Sequence, residues 1–499
     1  MQQTSLILNA QGQRPKRAWT LSLLSALCLG SVFAAEHAQA HHHAFSDESR
    51  FAQAPMFAGP PTFDFFPVFG DVPAYAYYPS YGHHGHHGHG HHAVPSRNTR
   101  PPVRLEIVLM RHGVRAPTTS NDDLSVYSNQ AWPTWPVDPG ILTPHGADVM
   151  KALGQRYRAE YLKRGILHDG CNLDQVVTIS DSTPRNQVST QAFLSGFQPN
   201  CIAKFYVAEN ADANPLFHFP AKTTDKADKA DILPPESSYP ALAELQQVLL
   251  GCDGPECWNA AAAKKHTLLW QGSPQAKSLK NAGTLSENIM LEYAEGMPLD
   301  QIGWGRVDEA AISRLITLHN TSFALTKAAM PKAAQAGSNL MTHILSTLQE
   351  AAGQTSDSAP LAPLGTKSLI LLGHDSNFAH LAGLLNTSWN TINQADQFPP
   401  GGALVFDLIE KNQQYYVTVR TKMPMLSALR HADFKAHSTL KTTTLRLDAC
   451  NGQRECPLDQ FVSWASARLD QASIQKTLPA MIETSSPIKS TNKSAGKDE

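Results

Sequence analysis

The stretch LEIVLM-RHGVRAP, residues 105–117, decides the fold. Leu105 to Met110 has the length and β-branching of a buried strand. The strand ends in Arg111-His112-Gly113, with Arg115 two residues on. Two guanidiniums and an imidazole then stand at a strand's carboxyl end, where open α/β sheets bind ligands. Fixed planar cations suit a tetrahedral dianion, and a histidine beside them can attack phosphorus. Gly113 lets the backbone approach a ligand, and Pro117 stiffens the exit. A basic strand end paired with surface acids is the competing reading. GHDSN, Gly373 to Asn377, argues against it. It follows SLILLG, a second buried-strand run, and adds an imidazole and a carboxyl group that can protonate a leaving alkoxide.

With these residues the chain resembles the histidine acid phosphatases of the phosphoglycerate-mutase-like superfamily. The likeness is to their bacterial periplasmic branch of phytases and glucose-1-phosphatases. It runs from about Arg104 to about Arg468. AWPTWPV (Ala131 to Val137), LTPHG (Leu142 to Gly146), GWGRV (Gly303 to Val307) and PPGGALVFD (Pro399 to Asp407) extend it. The resemblance implies His112 as the nucleophile of a phosphohistidine mechanism and Asp375 as general acid. It implies Arg111, Arg115 and His374 as a phosphate clamp. Arg185, in SDSTPRN after the strand-like VVTIS, would be the third phosphate-binding arginine. Thr118, Ser376 and Arg306 would line the substrate site. No cofactor is expected, because phosphoryl transfer needs mostly positioning and charge; losing one bidentate arginine should cost ~3 kcal/mol, about two decades in rate. Asp375 must be protonated in the first step, which favours acidic pH.

The net charge of −2 over 499 residues gives no reason to expect nucleic acid. The folded part should be ~400 residues, one domain with an insertion or two domains. Residues 1–40 read as a secretory signal. Arg14, Lys16 and Arg17 form the basic region, an apolar stretch runs from about Ala18 to Ala35, and Ala38-Gln39-Ala40 resembles a cleavage site, with Val32-Phe33-Ala34 as the alternative. An uncleaved anchor is the competing reading. No later run is apolar enough to span a bilayer, so a periplasmic or secreted chain is expected. Of seven cysteines, Cys28 lies in the signal. The other six allow fifteen pairings. The local set, Cys171–Cys201, Cys252–Cys257 and Cys450–Cys456, is the simplest and agrees with the family pattern. The first loop would contribute roughly 3–4 kcal/mol on a chain-entropy estimate.

Residues 41–102 form a leader outside the family pattern. Its Gly, Pro and His content argues against a packed core. HHGHHGHGHH supplies His83, His84, His86, His87, His89, His91 and His92. Three readings stand: a flexible leader or linker, a low-specificity store or sensor for zinc, nickel or copper, or pH-dependent attachment to a surface. The aromatic block Phe63 to Tyr81 would pack on the domain or bind a partner.

Residues 103–210 alternate strand and helix, which implies a central, mostly parallel sheet flanked by helices. Expected elements are helices over Pro144–Arg164 and Gln187–Phe197 and a strand over Lys204–Glu209. Residues 211–364 read as a mainly helical insertion, residues 365–484 as the second part of the α/β core, and 485–499 as a disordered tail. Trp132 and Trp135 read as structural anchors. Glu287 and Glu292 either orient the pocket or serve helix packing and surface pairs. Asn320 and Asn386 fit a glycosylation pattern.

The leading functional expectation is a secreted phosphomonoesterase, phytase-like and acting on inositol hexakisphosphate. The alternative is a glucose-1-phosphatase. Thr119 stands where several phytases carry lysine, Ser376 looks like the glucose-1-phosphatase form, and Ala403 replaces the acid of a PPGGE motif. Competing readings are a phosphoglycerate-mutase-like transferase and an extracytoplasmic metal binder that uses the leader. Small-molecule phosphomonoesters are the expected partners.

Overall fold

The computed structural model describes residues 102–210, 214–220, 231–389 and 394–485. The signal-like segment, the leader with its histidines up to residue 101, and residues 486–499 of the tail lie outside them.

Nine strands form one sheet among the described residues. They are β1 (Val103–Arg111), β2 (Val176–Ser180), β3 (Phe205–Ala208), β4 (Ser368–Gly373), β5 (Ala403–Lys411), β6 (Gln414–Pro424), β7 (Leu440–Thr444), β8 (Cys456–Pro457) and β9 (Met481–Thr484). The order is β7-β6-β5-β1-β4-β2-β3-β9, with β8 paired to β6. β1, β4, β2 and β3 run parallel. This is the parallel sheet that the strand–helix alternation predicts, but it is only the middle. β5, β6 and β7 extend it antiparallel on one side and β9 on the other, so the sheet is mixed. The β5–β6 hairpin turns through Asn412 and Gln413, both at positive φ, as a two-residue turn of the strands' twist requires.

The helices are α1 (Asn121–Leu124), α2 (Pro144–Arg164), α3 (Pro184–Phe197), α4 (Tyr239–Leu250), α5 (Pro255–Ala263), α6 (Ser278–Ala294), α7 (Glu309–Leu315), α8 (Thr317–Thr326), α9 (Lys332–Ala351), α10 (Asp375–Leu384), α11 (Leu426–His431) and α12 (Leu458–Ser466). α2 has the predicted bounds because its stop signals are explicit. Thr143 Oγ1 accepts from the Gly146 amide, Pro144 opens the first turn, and Gly165 closes it in the left-handed region. α3 starts three residues earlier than expected, with Pro184 in its first turn. β3 is two residues shorter than the Lys204–Glu209 reading. Helices α4 to α9 fall between β3 and β4. No described helix is long and apolar enough to cross a membrane.

The strands are buried on both faces. Val108 and Met110 of β1 share one core with Leu153, Phe193 and Phe197 of α2 and α3. Leu105, Ile107 and Leu109 share the other with Ile344, Phe378 and Phe461 of α9, α10 and α12. This explains a run without polar alternation. Its one exception is Glu106, fully buried. Arg164 of α2 and Arg420 and Lys422 of β6 pair with it, and Arg164 and Arg420 also hold Asp407 of β5. Disulfides join Cys171 to Cys201, Cys252 to Cys257 and Cys450 to Cys456.

Candidate active site

The site is assembled at the carboxyl ends of β1, β4 and β2. β1 and β4 are adjacent and in register, Arg111 opposite Gly373, so their two exits open side by side. The His112 amide extends the ladder by donating to the Gly373 carbonyl at 3.1 Å. The imidazoles of His112 and His374 consequently face each other edge to face, with centroids 5.5 Å apart. Gly113 is packed closely: a Cβ there would lie 2.7 Å from the Gly146 carbonyl. Its amide donates to Ser189 Oγ of α3 at 3.0 Å, and its carbonyl lies 2.9 Å from His112 Nδ1. With Nδ1–H donating to that carbonyl, the His112 ring is fixed and Nε2 carries the free lone pair. Burial first, then Arg185, Arg111, His374 and Arg115, holds His112 well below the usual imidazole range. This favours the neutral imidazole.

Arg111 is wholly buried. It pairs with Glu287, donates to the Phe398 carbonyl, and lies 2.9 Å from Asp375. Arg115 reaches the other Glu287 oxygen at 3.3 Å. Glu287 of α6 thus holds two guanidiniums together, so of its two sequence readings the orienting one describes the molecule; it is no surface pair. Burial works against the Arg111 charge, but Asp375 and Glu287 more than offset it and raise its pKa. Burial likewise opposes the Asp375 charge, yet Arg111, His319 and Arg115 hold this carboxyl far below the usual range.

Arg185, at the start of α3, lies with Nη2 3.4 Å from His374 Nδ1. A Cβ on Gly140 would sit 3.7 Å from Thr118 and 3.9 Å from Arg185, so both flank one rim. The Ser376 amide donates to Asp375 Oδ1 at 2.7 Å. A cleft of about 300 Å³ adjoins this rim, lined by Pro117, Thr119, Asn121, Trp135 and Asp138 among others. Trp132 is buried and donates to the Leu124 carbonyl. Among the described residues, Arg306 does not join the group around His112 by any hydrogen bond. Its guanidinium donates to the Val248 carbonyl at 2.7 Å and to Gln130, and it lies over Trp304. Glu292 is buried and accepts from the Gly303 amide at 2.9 Å, holding the Trp-Gly-Arg turn.

Several residues escaped the sequence reading. Asp181, fully buried after β2, contacts His374 Nε2 at 3.0 Å, and His218 lies 3.1 Å from the same nitrogen. Burial opposes Asp181's charge, but hydrogen bonds from His218 and His374 keep it ionised. His319 of α8 is buried close to Glu287 and Asp375. Asp396, also buried, accepts from the Phe398 amide at 2.8 Å. Asp181 was findable, since it directly follows a strand as His112 does. His218, His319 and Asp396 carry no local pattern.

Among the described residues, two groups bring three potential ligand atoms together: Asp181, His218 and His374, and Glu287, His319 and Asp375. In the second, guanidiniums already occupy both carboxylates.

Comparison with known proteins places the site in context. The family model described as histidine phosphatase superfamily (branch 2) matches residues 103–422. The chain is 29% identical to phytase AppA of Escherichia coli over 415 residues, 75% of this chain and 95% of that one. It is 27% identical to a glucose-1-phosphatase of Salmonella typhimurium, over 74% and 94% of the two chains. The structure of Hafnia alvei phytase in complex with tartrate superposes with a TM-score of 0.67 at 28% identity, covering 75% and 98%.

Proposed function

The chain belongs to the histidine phosphatase superfamily (branch 2), and from that premise we propose a phosphoric monoester hydrolase working through phosphohistidine at His112. The observation that carries the proposal is the convergence of neutral His112 with Arg111, Arg115, Arg185, His374 and Asp375 at adjoining strand ends. Arg111, Arg115, Arg185 and His374 bind the phosphoryl oxygens, and Thr118 and Ser376 contact the same group. His112 Nε2 attacks phosphorus in line as the P–O bond to the leaving alkoxide breaks. Asp375 supplies the proton to that alkoxide. Water then attacks phosphorus, Asp375 takes its proton, and the P–N bond breaks to free inorganic phosphate.

We favour a phytase-like substrate range in a periplasmic or secreted protein. The likeness to phytases and the cleft beside Thr119 support it, since a ring with several phosphates needs room beyond the clamp. A glucose-1-phosphatase preference is the alternative that Ser376 and Ala403 favour. Arg306 and the leader histidines are proposed only as a distant pocket wall and as divalent-metal ligands.

The deciding experiment is phosphate release from phytate, glucose 1-phosphate and p-nitrophenyl phosphate at acidic pH with EDTA present, for wild type and His112→Ala. Metal-independent release that vanishes in the variant is expected. Release that survives the substitution sinks the nucleophile assignment, and a higher kcat/KM on glucose 1-phosphate than on phytate overturns the phytase preference.

A further inference from the structure

Asp181, His218 and His374 come from three separate parts of the chain: the end of β2, the end of β4, and the segment 214–220. The two imidazole nitrogens and the Asp181 carboxylate, which faces each imidazole with a different oxygen, close on one another. Asp181 Oδ2 lies 3.0 Å from His374 Nε2. His218 Nε2 lies 3.1 Å from His374 Nε2 and 3.3 Å from Asp181 Oδ1. A tetrahedral zinc with bonds of about 2.0–2.1 Å holds neighbouring ligand atoms about 3.3 Å apart. Protons account for this arrangement incompletely. One on each imidazole can satisfy both edges to Asp181, but then two N–H groups face each other. A single ion takes a lone pair from all three residues.

A fourth ligand is at hand. Asn186 is fully buried, its Oδ1 has no hydrogen-bond partner among the described residues, and its Nδ2 lies 3.0 Å from His374 Nε2, 3.4 Å from Asp181 Oδ2 and 2.8 Å from Thr183 Oγ1, a hydroxyl that can donate to the oxygen or accept from the amide. A half-turn of this amide exchanges the two atoms and offers the ion an oxygen. Asp181 is already oriented by the Thr183 amide at 3.0 Å and by Asn214 at 3.1 Å, as outer-shell groups orient metal ligands. The His218 side chain is 50% exposed, which opens a path from solvent. Arg185 is the opposing cation, but it faces Nδ1, on the other side of the His374 ring.

We propose that Asp181, His218 and His374, with Asn186 turned inward, bind one borderline divalent ion of the zinc, nickel or copper type, and that this ion reversibly inhibits the enzyme. Two imidazoles with oxygen ligands suit these ions rather than magnesium or calcium. Coordination at Nε2 fixes the His374 ring toward the ion, and within a phosphate clamp an ångström of misplacement costs about a hundredfold in rate.

The inhibitory part rests on the phosphatase reading, while ion binding does not. The test uses the full disulfide-bonded chain, wild type and His218→Gln, with the leader present in both. Cobalt(II) is titrated and its visible absorption recorded. Zinc is titrated against p-nitrophenyl phosphate hydrolysis, each protein scored against its own metal-free rate. We expect the wild type to show a cobalt band beyond whatever absorption the leader gives to both proteins, and the variant to lack that added band. We also expect at least a tenfold higher inhibiting zinc concentration for His218→Gln, and recovery with EDTA. Identical cobalt spectra overturn the site, whatever the activity. A cobalt difference with unchanged zinc inhibition overturns the inhibitory role. A cobalt difference in a chain that hydrolyses no phosphomonoester leaves the site standing and sinks the enzyme reading.

Discussion

Asp375 poses a proton problem. A general acid needs a proton, yet this carboxyl is held ionised beside Arg111 at 2.9 Å. On the proposed mechanism the proton therefore arrives with the substrate, as the phosphate monoanion, whose second pKa is about 6. As phosphoryl oxygens take over the Arg111 donors, Asp375 loses its counter-charge and accepts that proton. We expect kcat/KM to fall about tenfold per unit above roughly pH 6, with the limb moving when a substrate of different phosphate pKa is used. A limb fixed across such substrates would disprove the idea. Glu287 gives a second prediction. Glu287→Gln leaves Arg111 and Arg115 buried with half their charge partner gone, which should cost about 3–5 kcal/mol in a urea unfolding experiment. It should also lower kcat/KM, while an unchanged midpoint would deny Glu287 its tethering role. Much of the site was legible because each strand-end motif carries its own chemistry. Glu287 was flagged, but nothing near it in sequence says which cation it meets. Glu106 was read as part of an apolar run, because its partners Arg164, Arg420 and Lys422 come from α2 and β6, far along the chain.

At the scale of elements, the site depends on how closely α2 and α3 pack, since α3 carries Arg185 and Ser189. Two glycines set that distance. A Cβ on Gly154 would lie 2.1 Å from the Phe193 carbonyl, and one on Gly196 2.0 Å from the Lys151 carbonyl. These are backbone contacts with no flexible side chain to yield. Gly196→Ala should cost ~1–3 kcal/mol or more through overpacking and reduce kcat/KM by moving Arg185, both measurable on one preparation. Full stability with full activity would mean that the helices slide freely. The βαβ alternation made the parallel middle of the sheet readable, since each crossover needs a helix of its own. The antiparallel flank was not readable in the same way. β5 and β6 are apolar enough to pass for further parallel strands, and the turn between them, Asn412-Gln413, lacks the glycine that usually marks a tight hairpin.

For the molecule as a whole, two buried carboxyls pull stability in opposite directions with pH. The Glu106 pKa is depressed because three cations outweigh its burial. Its contribution is present above the ordinary value of 4.5 and is lost as pH falls below it. Glu292 is raised to about 8 by burial, only partly relieved by the Gly303 amide. The folded state then binds the extra proton, so its stability falls as pH climbs from 4.5 toward 8. The loss is on the order of 4 kcal/mol by the upper end. Glu292→Gln keeps the acceptor for Gly303 and should flatten that decline in thermal unfolding scans; an unaltered slope would show that Glu292 titrates normally. Deleting residues 41–92 should leave hydrolysis intact, since the family match begins at residue 103.

The place of β1 has a further consequence. It lies between β4 and β5, whose residues are made some 260 and 290 positions later in the chain. An emerging polypeptide carries His112 early but lacks both neighbouring strands until it passes Lys411. A chain cut short before that point holds the motif without the sheet that assembles the site around it.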